Sequence, residues 1–161
     1  MIQATDLEQA VPQKVVEALR RGLGERLVAV VLFGSRARGD HRPESDWDLL
    51  VIAEGLPERP FHRQQLLNRL VSACRAPVSV IARTRQEFES HLPSLYLDIA
   101  LDGRILYDPT GYAAQRLAHL RRLIEEAGLY RQRTAAGDVW NWRKPPRGPW
   151  VMTWERIGER P

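Results

Sequence analysis

Asp46 and Asp48, separated by one residue, stand at the head of an apolar run that continues from Leu49 to Ala53. In an extended chain successive side chains point to opposite faces, so both carboxylates leave one face and Trp47 leaves the other. Two neighbouring carboxylates repel each other unless a cation lies between them. Magnesium suits that place, because it accepts a few carboxylate oxygens and completes its shell with water and substrate phosphates. Upstream, Gly34-Ser35 closes another aliphatic run. Glycine there permits close backbone approach, and a helical turn starting at that point offers free N–H groups and the Ser35 hydroxyl to an anion. Adjacent strands would bring this turn and the two acids to one sheet edge, where a triphosphate bridges donors and metal. Arg36 and Arg38 follow the turn. Arg36 is either a phosphate ligand or a solvated loop residue and is counted among the candidates; Arg38 reads as loop.

The elements needed to hold these residues are legible from periodicity. Val11, Val15, Val16, Leu19 and Leu23 fall at helical spacing, predicting one helix over about residues 7–23. Residues 27–33 and 47–53 read as buried strands, being short, aliphatic and rich in β-branched side chains. Residues 61–74 read as a helix, 78–82 as a third strand, and Thr84 as the cap of a short helix with Glu87 in its first turn. A short helical or irregular stretch over 95–101, a brief strand over 104–107 and a helix from Thr110 to about Ala127 complete an α/β chain. The expected division is a domain over 1–130 and an extension over 131–161.

That extension differs in character. It holds four of the five tryptophans, Trp140, Trp142, Trp150 and Trp154, and its charged residues account for the whole net charge of +4. A disordered tail is normally poor in aromatics, so this one is expected to pack on the domain, on a partner or, less readily, on nucleic-acid bases. Only Cys74 is present, which excludes an intrachain disulfide and fits a reducing compartment. No apolar stretch approaches the ~20 residues of a membrane span, and the first ten residues carry two acids and no base, unlike a targeting peptide. A cytoplasmic location is expected.

The run Gly34-Ser35, ten residues, Asp46-Trp47-Asp48 resembles, without a gap, the signature of the DNA polymerase beta-like nucleotidyltransferase superfamily. Ala37, Gly39, Ser45 and Leu49 further resemble the minimal nucleotidyltransferases that serve as antitoxin partners of helical ribonuclease-type toxins. The resemblance implies an α/β (α+β) fold with a mixed β-sheet backed by helices. It also implies a triphosphate gripped by Gly34 and Ser35, and Mg²⁺, two ions in the family, on Asp46 and Asp48. A hydroxyl then attacks the α-phosphorus of ATP or another NTP and pyrophosphate leaves. The family places a third carboxylate on the strand after the next helix, where this chain has Ser79. A hydroxyl is a poor magnesium ligand and no base near neutral pH. Three accounts stay open: Glu87, Glu89, Asp98 or Asp102 takes the role from a shifted position, the substrate supplies what is missing, or the domain binds nucleotide without turning it over. The expected function is therefore Mg-dependent transfer of a nucleotidyl group, AMP from ATP, to a hydroxyl. The alternative is a nucleotide-binding or antitoxin-like module. Expected partners are a nucleoside triphosphate and a helical toxin-like protein or a second copy of the chain, with nucleic acid ranked below them and no membrane.

Overall fold

A computed structural model describes residues 4–161. Its frame is a four-stranded sheet of β1 (Leu27–Phe33), β2 (Trp47–Ala53), β3 (Val78–Arg83) and β4 (Arg104–Tyr107), in spatial order β3-β2-β1-β4. β1 is antiparallel to β2 and β4, and β2 is parallel to β3, so the sheet is mixed. Asp48 apart, the two central strands are apolar along their length because both faces are covered. Val31, Leu50 and Ile52 enter the layer under α5 (Arg85–Ser90), α6 (Ser94–Asp102) and α7 (Tyr112–Ala127). Val30, Leu32, Leu49 and Val51 enter the opposite layer, under α2 (Val11–Leu23) and α4 (Pro60–Val71). Each of these side chains, fully removed from water, stabilises the fold by about 2 kcal/mol relative to exposure.

One helix expected over residues 7–23 is instead two, α1 (Ala4–Gln9) and α2, parted at Ala10. Pro12 is the cause. It has no N–H for the Glu8 carbonyl and its ring crowds that oxygen, so it occupies the first turn of α2. The cap at Thr84 forms a full capping box: the Glu87 N–H donates to Thr84 Oγ1 at 3.2 Å and the Thr84 N–H donates to the Glu87 carboxylate at 3.0 Å. Cys74 is buried in the α2/α4 layer, and that burial pushes its thiol above the usual range.

The C-terminal residues form two hairpins, β5 (Leu129–Thr134) with β6 (Gly137–Trp142), and β7 (Trp150–Met152) with β8 (Ile157–Glu159). Between the last two strands Trp154 is only 5% exposed. Its ring meets Phe88 edge-on at 4.9 Å, and its Nε1–H donates to the carbonyls of Phe88 and His91 at 2.8 and 3.0 Å. Trp142 and Trp150 pack edge to face at 5.5 Å. Among the described residues no helix is long and apolar enough to cross a membrane.

Candidate functional site

β1 ends at Phe33, and Gly34 turns the chain with φ 75° and ψ −159° into one helical turn, α3 (Ser35–Arg38). Only glycine fits there. A Cβ would lie 2.3 Å from Asp48 Oδ2, and the positive φ strains any L side chain. The Gly34 carbonyl accepts from the Ala37 and Arg38 N–H groups, both at 3.1 Å, and the Ser35 carbonyl accepts from Gly39 at 2.9 Å. The Ser35 and Arg36 amides open the turn and have no carbonyl ahead of them inside it.

Asp48 lies in register with Phe33 on one side and Ser79 on the other. Strand alternation sets it on the face that Leu50 and Ile52 share, while Trp47 is buried in the opposite layer. Asp46 sits just ahead of β2 and is exposed. Partial burial, then the negative charge of Asp46, raise the Asp48 carboxyl above its ordinary value, with Arg38 opposing them. The turn and both acids therefore meet at one end of the sheet.

The Arg36 side chain departs from the sequence expectation. It is buried, not aimed at a ligand. Its Nε donates to the Ser45 carbonyl at 3.0 Å, its Nη2 to the Pro43 carbonyl at 3.2 Å, and its Nη1 pairs with Glu8. The guanidinium lies over the Trp47 ring, 4.4 Å from its centroid. It braces the loop that delivers Asp46, and its donors are engaged there rather than on phosphate.

No displaced carboxylate joins the pair. Glu87 is held by the capping box and by a bidentate contact to Arg63 at 2.7 and 2.9 Å, and Glu89 pairs with Arg116 at 2.9 Å. Asp102 takes a bidentate contact from Arg131 at 2.6 and 2.7 Å; Asp98 accepts from the same arginine at 3.3 Å and from the Trp140 indole at 3.1 Å. Among the described residues no three His, Cys, Asp or Glu side chains are grouped to hold a metal ion. The residues present still fit magnesium. Two hard oxygen donors, one of them destabilised in its charged form by the other, are what a hydrated divalent ion bridging to phosphate requires.

Beside the turn opens a cleft of about 530 Å³, lined among others by Gly34, Arg38, Asp40, Asp102 and Arg133. That is within the roughly 300–1,000 Å³ of small-molecule sites. A larger cleft of about 1160 Å³ runs between α4, β3 and the segment around Trp154. Neither cleft is lined by Asp46 or Asp48, but only the smaller one reaches the turn, through Gly34, so size does not make the larger one the site. Arg133 escaped the sequence reading because nothing local marks it: its partner Asp40 is 93 residues away.

The sequence pattern of the nucleotidyltransferase domain family matches residues 13–107. A candidate protein adenylyltransferase of Methanocaldococcus jannaschii, MJ1305, is 41% identical over 56 residues, 35% of this chain and 38% of that relative. The chain thus matches well under half of that relative's length. A second candidate protein adenylyltransferase of the same organism, MJ0604, is 27% identical over 62% of this chain and 98% of its own length. A solved toxin-antitoxin structure with AMP-PNP superposes with a TM-score of 0.52 at 23% identity, over 71% of this chain and 90% of the other, which shows a shared fold. With the turn, the paired acids and the mixed sheet all inside the matched region, the chain belongs to the nucleotidyltransferase domain family.

Proposed function

We propose that the protein transfers AMP from ATP to a hydroxyl acceptor with the help of Mg²⁺. The observation that carries this reading is Asp48: its carboxylate is packed against Gly34 and faces the charge of Asp46, an arrangement unfavourable without a cation. Asp46 and Asp48 would hold the ion, which when bound neutralises phosphate charge and orients the triphosphate. Gly34, lacking a Cβ, leaves room for the Asp48 carboxylate beside the turn, and the Ser35 amide and hydroxyl would donate to the polyphosphate oxygens. The acceptor oxygen bonds to the α-phosphorus as the bond to the β-phosphate breaks; pyrophosphate leaves and the acceptor gives up its proton. Relatives named as candidate protein adenylyltransferases favour a protein as acceptor. Ser79, in register with Asp48, leaves the acceptor or a partner to supply what the third carboxylate supplies in the family.

The test is incubation of the purified protein with Mg²⁺, cell extract and ATP labelled at the α- or the γ-phosphate. Label from the α-position alone should enter a macromolecule, and Asp46→Asn should abolish it. Label arriving from the γ-position instead would show phosphoryl transfer and contradict the reading.

Ser79 favours one second reading, a cytoplasmic nucleotide-binding module that acts as an antitoxin-like partner of a helical protein, or pairs with its own copy, without turnover. The superposition on a toxin-antitoxin structure is its support. Absence of any labelled product, together with co-purification of a small helical protein, would select it.

A further inference from the structure

The C-terminal extension reaches the candidate site through one hairpin. Arg131 and Arg133 are two residues apart on β5 and share a face. Arg131 is locked to α6 by Asp102 and Asp98, and the Trp140 indole of β6 fastens to the same Asp98. The face that carries Arg133 is therefore fixed over the cleft beside Gly34. There Arg133 Nη2 lies 3.3 Å from Asp40 Oδ2, and Arg38 Nε lies 3.2 Å from the same oxygen. Arg38 is also 3.9 Å from Asp102, and Arg133 Nε is 3.4 Å from its cross-strand partner Asp138.

Two guanidinium groups converging on one carboxylate oxygen form an oxyanion clamp. The Asp40 carboxyl, held below its ordinary value first by the hydrogen bond from Arg38, is ionised at neutral pH. The Arg133 side chain is 68% exposed and that of Asp40 39%. Solvent screens exposed pairs of this kind, so a more highly charged anion displaces Asp40 readily. A polyphosphate entering over the Gly34 turn is such an anion.

We propose that Arg133, supplied by the C-terminal hairpin, pairs with Arg38 as a ligand of the terminal phosphates, and that Asp40 occupies their clamp until the nucleotide arrives. The proposal rests on the nucleotide-binding reading above and adds to it a residue outside the stretch that matches the family pattern.

Titration calorimetry of the full chain with Mg²⁺ plus ATP, and separately with AMP, tests it. Arg133→Ala should weaken ATP binding about tenfold and leave AMP binding within about twofold, since AMP lacks the terminal phosphates. Arg133→Lys should recover part of the loss, and Asp40→Asn should tighten ATP binding about threefold. Gln132→Ala, on the opposite face of β5, should change neither, and equal unfolding midpoints verify that each variant is folded. If the wild-type chain binds ATP and Arg133→Ala binds it as well, the proposal falls while the nucleotide reading stands. Equal weakening of ATP and AMP, or weaker ATP binding in Asp40→Asn, also overturns it. If the wild-type chain binds neither nucleotide, both readings fall.

Discussion

Asp48 is the residue on which folding and the proposed metal binding pull in opposite directions. Its pKa in the folded chain lies above the ordinary carboxylate value because of partial burial and Asp46. Folding thus favours its protonated form. The contribution of Asp48 to stability falls as pH rises from the ordinary carboxylate value through the raised one, and the penalty is complete above it. Asp48→Asn keeps the shape and removes the charge. At pH 7 it should raise the melting temperature by about 1–3 °C, with the gain shrinking as pH is lowered toward 4; a variant no more stable than wild type at pH 7 would contradict this. The turn at Gly34 and the spacing of the Asp-x-Asp pair could be read from the sequence because both are local, whereas the contact of Gly34 with Asp48 Oδ2 needed the fold. Arg36 could not, since its partner Glu8 lies 28 residues back and its burial depends on how the loop folds over Trp47.

At the scale of elements, the loop between α3 and β2 determines where Asp46 stands, and Arg36 holds that loop closed from inside. Arg36→Ala leaves two carbonyls and Trp47 without their common partner. Glu8 is partly exposed, so the loss is smaller than for a fully buried pair. We expect about 2 kcal/mol of destabilisation in urea unfolding. Arg36→Lys should restore little of it, because one ammonium cannot span both carbonyls and stack on the indole. A wild-type midpoint in either variant would remove the bracing role. The strands and most helices were legible because their periods of two and 3.6 are carried by aliphatic residues under a covered sheet. Pro12 was the readable signal for the broken first helix, outweighed by apolar spacing that runs through it. The two C-terminal hairpins left no such trace. β5 and β6 are half exposed and mix polar with apolar residues, so no regular alternation of apolar residues marks them, and Trp140 answers to Asp98 on α6.

Across the whole molecule, the family pattern ends at residue 107, yet the chain's core does not. Leu129, Trp154 and Ile157 join Val31, Leu50 and Phe88 in one buried layer. The extension therefore stabilises the sheet from beyond the matched region and walls one side of the cleft. The proposed function reduces to a single physical situation: two carboxylates and a glycine-opened turn, at one end of the sheet, placed to hold a cation and an anion together. Calorimetry with ATP in the presence of Mg²⁺ and again with the ion chelated measures that situation directly. Binding should appear only with the ion, and Asp46→Asn and Asp48→Asn should each weaken it at least about a hundredfold. ATP bound equally well without the ion, or unaffected by both substitutions, would contradict the account.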